Sequence, residues 1–414
     1  MKLTAEQVLI ALRRVTSNGR FIPAIDGLRC IAIMSVVLFH LNTYVLAKST
    51  AFASEGVEEN NLRQLLACGD YGVQLFFVIS GLILGLPFAE HYLQGRPKVS
   101  LRQYFARRIF RIEPPYIINL VVISALLVVA KSESIVSLVP HLGASLLYLH
   151  NLVFGESSRI NQAAWSLEVE VQFYLVAPLL AMMFAIRQTA LRRVVQWAAI
   201  GLVVGLKFAF SLESRALVPT TILWYLDFFL AGLLLADIYT SRWNSRPSQN
   251  CYGDVVALSA WCAVIGVHIL PLAEPILALV ILLACGASFR GWLFYRCLSS
   301  PWVTTVGGMC YTIYLYHQFI ISATGRWTIG LAAGSTYAGN LVLQAVLLVP
   351  VVLATSAILF VLFEKPFMVR NWPLRWKSAV LSLLPARSRT AAIANQRTEG
   401  RAEPATATAV DMNR

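Results

Sequence analysis

The chain has 414 residues, 57% of them hydrophobic and 13% charged, and its mean hydropathy is +0.66. That balance excludes an ordinary soluble domain of this length and points to a polytopic membrane protein. The net charge of +13 does not require a nucleic-acid partner, because basic residues in such a protein record orientation.

In chain order, residues 1-23 are polar and basic without a short apolar core and cleavage site, so no removable signal peptide is expected, only a cytoplasmic segment. Ten apolar stretches follow, at 24-46, 70-91, 112-130, 164-186, 194-210, 219-237, 253-270, 275-289, 303-324 and 339-363. Threaded through a bilayer, they place 26 of the 34 Lys and Arg residues in cytoplasmic segments and six outside, with Arg29 and Lys207 inside spans. The expected fold is therefore an all-α integral membrane protein, with about ten transmembrane helices around a central polar cavity and both termini cytoplasmic. The stretch 138-154 is apolar enough to tempt an eleventh crossing. Counting it would move Arg187, Arg192 and Arg193 outside, so it reads as re-entrant or interfacial. The transmembrane domain is 24-365, and 378-414 is expected to be a disordered cytoplasmic tail. Seven cysteines, most of them in or beside spans and without a C-x-x-C, indicate neither a disulfide framework nor a metal site.

Within this frame, five motifs stand at span ends. In the first, DGLRCIAIMSVVLFH (26-40), Arg29 and His40 are eleven positions apart. That is within roughly 20° around a helix and about 16 Å along it. One face thus carries a cation near one membrane surface and an imidazole near the other, and ionisable groups in spans usually face a cavity or a partner. The second motif, GVQLFFVISG (72-81), suits close helix packing, with Asp70 at its mouth. The third, RRIFRIEPP (107-115), sets Arg108 and Arg111 on one helix face at the cytoplasmic surface, where forked guanidinium contacts suit phosphate.

The fourth motif is WSLEVEVQFY (165-174), where Glu168 and Glu170 lie about 200° apart, so one of them faces the His40 side. Glu170 is favoured, because Tyr174, four residues on, shares its face. The fifth, YTIYLYH (311-317), brings Tyr314 and His317. Counting about 1.5 Å per residue from the external ends puts His40, Glu170 and His317 at one depth, roughly 9 to 10 Å in. The other four histidines, His91, His141, His150 and His268, lie at boundaries or alone and receive no role.

Taken together and in this order, the five motifs resemble the membrane-bound acyltransferase 3 family, over residues from about Ile22 to Lys365. The resemblance implies an O-acetyltransferase of glycans and related acceptors, here a stand-alone member without a following SGNH-type hydrolase domain. It implies acetyl-CoA as donor from the cytoplasmic side, a saccharide or glycolipid acceptor, no metal, and a bacterial inner membrane location. His40 would be the essential base, with Arg29, Arg108 and Arg111 at the donor. Three positions depart from the family pattern: Gln74 replaces a common Asp, Glu168 a common Ser, and Val171 a frequent acidic residue.

The residues themselves suit that chemistry. A sugar hydroxyl needs a base within hydrogen-bond reach to attack a thioester, and an unprotonated imidazole supplies one. Glu170, or Asp70, would orient the ring, while Tyr174, Tyr314 or His317 would donate to the oxyanion. The alternative is a proton-coupled transporter or exporter of a polar solute that uses His40, Glu170 and His317 as a relay. Such a protein should show inverted repeats, and the Arg29/His40 pair has no counterpart in the second half.

Overall fold

A computed structural model describes residues 5–15, 21–48, 61–209, 221–270, 275–331 and 336–368. The tail expected at 378-414 lies outside them. Among the described residues the chain is helical, apart from an isolated bridge between Asn250 and Gly291. The main helices are α1 (Pro23–Lys48), α2 (Tyr71–Gln94), α3 (Leu101–Val129), α4 (Trp165–Leu180) and α5 (Thr189–Ala209). They are followed by α6 (Ile222–Asp237), α7 (Cys251–Ile269), α8 (Leu277–Arg290), α9 (Cys310–Thr328) and α10 (Tyr337–Leu359).

Among the described residues, eight helices are long and apolar enough to cross a membrane. The helices that fall short of that measure are α8, with 14 residues, and α9, whose 19 residues include three tyrosines, a histidine and a glutamine. The chain is an integral membrane protein. Residues 138-154 fall in two short helices, Ile135–Leu146 and His150–Phe154. At about 18 Å, the longer of them cannot span a 30 Å hydrocarbon layer.

Helix ends carry local signals. The side chains of Ser100, Asn250 and Thr336 accept from the backbone N–H three residues on, which starts α3, α7 and α10. Gly95 ends α2 with a φ of 67°.

Two close approaches set the positions of the helices around the polar interior. A Cβ on Gly232 would stand 2.2 Å from the Val78 carbonyl oxygen, so α2 and α6 cross with their backbones in contact. A Cβ on Gly307, just before α9, would stand 1.7 Å from the Asp26 carbonyl oxygen. From that contact α1 and α9 run side by side in the same direction: His317 meets His40, and Gly325 meets Tyr44.

Charges inside the spans of α5 and α6 are paired. Arg192, fully buried, bonds to Asp237, and Lys207 Nζ lies 2.7 Å from Asp227 Oδ1. Removing one partner would leave a buried charge alone, so these pairs hold the two helices together.

Candidate functional site

At one end of the α1–α9 pair, the half-buried His40 ring lies 5.0 Å, centroid to centroid, from the fully buried His317 ring. The Gln318 amide nitrogen is 3.1 Å from His40 Nδ1 and 3.0 Å from Nε2. The amide N–H can donate to whichever of these nitrogens carries a lone pair, a contact that either tautomer of the neutral ring accommodates. His317 Nδ1 donates to the carbonyls of Tyr314 (2.8 Å) and Ile313 (3.1 Å). That fixes the tautomer and leaves Nε2 as an acceptor, buried and without a hydrogen bond among the described residues. A neutral His317 therefore cannot donate to an oxyanion from Nε2.

One layer along, Phe76 and Tyr314 pack edge to face, 6.4 Å between centroids, with Tyr314 6.0 Å from His317. The Tyr314 hydroxyl donates to the Ala163 carbonyl and accepts from Ser166, at 2.6 Å. Ser166 is thus the α4 residue at the level of Tyr314. Glu170, four residues or about 6 Å further along, accepts from Ser80 at 2.6 Å and adjoins Tyr174. Among the described residues no hydrogen bond joins Glu170 to His40. The two histidines meet, while the carboxylate belongs to the next layer.

That layer leads to the arginines. Arg108 donates to the Tyr104 carbonyl at 2.7 Å, and its guanidinium lies 3.7 Å from the Tyr104 ring centroid and 5.8 Å from that of Tyr174. Its Nε is buried without a hydrogen bond. Asp26, fully buried, bridges Arg29 at 2.9 Å and Arg14 at 2.6 Å. Burial first, and then the neighbouring Arg29, lowers Arg14 to about 10, which keeps it protonated at neutral pH. Arg111 lies within electrostatic reach of Arg14 and of Glu364, whose carboxylate accepts from Thr312 N at 3.1 Å and Oγ1 at 2.5 Å. Arg108 and Arg111, neighbours on one helix, therefore have different surroundings. Arg29 is also within electrostatic reach of Glu170, which links the two clusters.

Asp70 lies in the short turn Cys68–Asp70 that leads into α2 and packs on α1 near Ser35 and Phe39. Glu168 faces away from this interior, and its two oxygens accept from the backbone N–H groups of His150 (3.2 Å) and Asn151 (3.0 Å). It secures the start of the short outer helix, as the opposed faces of Glu168 and Glu170 suggested. Sequence reasoning missed Gln318, Ser80 and Ser166, whose roles depend on which helix stands opposite. It also missed Asp26, although a carboxylate three residues before an arginine on a helix is a pairing signal.

A family model described as an acyltransferase domain (Acyl_transf_3) matches residues 22–361. The chain belongs to this acyltransferase family. Every site residue expected from the sequence lies inside the family match, whereas Arg14 and Glu364, which close the arginine cluster, lie just beyond its ends. The O-acetyltransferase OatA of Staphylococcus aureus, in strains NCTC 8325 / PS 47, COL and MRSA252, is 26% identical over 343 residues. That alignment covers 73% of this chain and 51% of each relative, so the chain spans about half the length of the curated proteins it matches. No solved structure matches it.

Proposed function

We propose that this acyltransferase carries an acetyl group from acetyl-CoA to a hydroxyl of a saccharide or glycolipid, with His40 as general base. The supporting observation is the α1–α9 pair. It holds an imidazole against Gln318 and His317 at one end; at the other, Asp26 of α1 pairs with Arg29 and Arg14, and Thr312 of α9 binds Glu364, within electrostatic reach of Arg111.

In this reading, ten helices cross a bacterial inner membrane around a polar interior with both termini cytoplasmic, as the charge asymmetry favours. The coenzyme phosphates meet Arg111, Arg108 and Arg29 at the cytoplasmic end, where forked guanidinium contacts hold them. The acceptor enters from the opposite face. His40 takes the hydroxyl proton as the acceptor oxygen attacks the thioester carbonyl carbon. The C–S bond then breaks, and the departing sulfur takes the proton from the imidazolium. Gln318 and His317 hold the ring for this exchange. Glu170, between Ser80 and Tyr174, supplies negative charge between the imidazole and the arginines, and Asp70 stands at the acceptor's entry. The Tyr314 and Tyr174 hydroxyls donate to the developing oxyanion on exchanging their bonds to Ala163 and Glu170.

The test compares the O-acetyl content of surface glycans in cells carrying the wild-type chain, His40→Ala, or neither, with membrane insertion checked by immunoblot. The proposal expects the His40→Ala cells to match those lacking the protein. Wild-type acetylation in that variant would overturn it.

A further inference from the structure

Away from the arginine and histidine clusters, a cleft of 460 Å³ opens between α5, α6, α7 and α8. The α8 wall is Leu279, Leu282, Leu283, Gly286, Ala287 and Arg290, spaced by threes and ones along a single helix face. From first to last this wall is eleven helical steps, about 16 Å. That is close to the depth of one leaflet of a hydrocarbon layer about 30 Å thick. Trp197, Leu235 and Val256 complete an almost wholly apolar lining. Trp197, Tyr252 and Leu283 are exposed at its edge, so the cleft opens sideways to the lipid.

Its polar end is different. Arg290 closes α8, and Arg242 ends the wide helical turn Ile238–Arg242 that continues α6. Among the described residues neither enters an ion pair, and Arg290 Nε is buried without a hydrogen bond. The carboxylates nearby are engaged: Asp254 accepts from the Leu293 and Phe294 amides at 3.1 and 2.9 Å, and Asp237 binds Arg192. Two cations at the mouth of a leaflet-deep apolar slot are complementary to an anionic headgroup on an acyl chain.

We propose that this cleft binds an anionic phospholipid, one acyl chain along α8 and the phosphate against Arg242 and Arg290. Gly286 keeps the slot open. A Cβ there would reach only van der Waals contact, 3.7 Å from Leu235 and 3.9 Å from Trp243, so a larger side chain would fill the space meant for the lipid.

The experiment uses the full chain purified in detergent, titrated with phosphatidylglycerol or phosphatidylethanolamine and read by native mass spectrometry. Phosphatidylglycerol should bind more tightly. Arg242→Gln and Arg290→Gln should each weaken it about fivefold, more than they weaken phosphatidylethanolamine, and Gly286→Trp should remove both lipids. Equal binding of the two lipids by the wild type, or an unchanged preference in the double arginine variant, would overturn the proposal. So would a dimer that covers the cleft and excludes lipid. Should Gly286→Trp fail to fold, the arginine variants decide the matter alone.

Discussion

Two pairs of histidines in this protein have opposite fates. His141 and His150, both buried in the short outer helices, bond to each other: His150 Nδ1 donates to the Glu156 carbonyl at 3.2 Å, so its Nε2 accepts from His141 Nδ1 at 2.8 Å. Phe154 stacks on His141, 4.2 Å between centroids, and Glu168 holds the backbone below. Both nitrogens of His150 are engaged, so His150 itself has none left to exchange a proton with a substrate. His40 and His317 pack ring to ring instead, and their hydrogen bonds leave His317 Nε2 open and His40 in contact with one amide. A histidine's type and burial therefore do not mark the site. What distinguishes the His40 pair is its place on α1 and α9, whose other end carries Asp26 with Arg29 and Thr312 with Glu364.

The comparison breaks most sharply at His40. His40→Ala should lower acetyl transfer by about 10² to 10⁴-fold, the range for loss of a general base, with insertion unchanged. At the other end of the α1–α9 pair, Arg111→Ala should raise the KM for acetyl-CoA about tenfold or more with little change in kcat. That is the effect of losing a charge-assisted hydrogen bond of about 1.5–3 kcal/mol. Arg108→Ala should act the same way, and unchanged coenzyme affinity in both variants would remove the arginines from the donor site. Gln318→Leu removes one neutral hydrogen bond of about 1 kcal/mol and should cost about fivefold in kcat, leaving the acetyl-CoA KM alone. A steady-state titration of the coenzyme separates these cases.

The smallest effect belongs to the outer pair. Burial, then His141, lowers the proton affinity of His150 below its ordinary value of 6.5. The folded protein therefore binds that proton less readily than the unfolded chain. Stability present above pH 6.5 is lost as the pH falls below it towards the folded-state value. His150→Gln should flatten this acid limb in thermal unfolding between about pH 7.5 and 5 while activity stays within about twofold. Loss of transfer in that variant, with its fold intact, would erase the distinction between the pairs.

How far the sequence carries this picture depends on whether one helix suffices for the inference. The shared face of Arg29 and His40, the opposed faces of Glu168 and Glu170, and the apolar lengths of most spans follow from helical pitch alone, and the structure retains them. The meeting of His40 with His317 followed from counting depth in two spans. The same count put Glu170 at that level, but α4 places Ser166 beside Tyr314 and leaves Glu170 with Ser80. A depth estimate has an error of about one turn, enough to exchange one residue for the next on the same face. Gln318 was illegible for a different reason. An amide on a polar helix carries no mark of its partner until the backbone contact at Gly307 sets α9 against α1.

The most direct measurement is release of free coenzyme A thiol from acetyl-CoA by membranes that contain the wild type, His40→Ala or His150→Gln at equal protein levels, with a cell-envelope glycan extract as acceptor. The account predicts acceptor-dependent release by the wild type and His150→Gln, and loss of at least about 10²-fold in His40→Ala. Acceptor-dependent release by His40→Ala at the wild-type rate would contradict it.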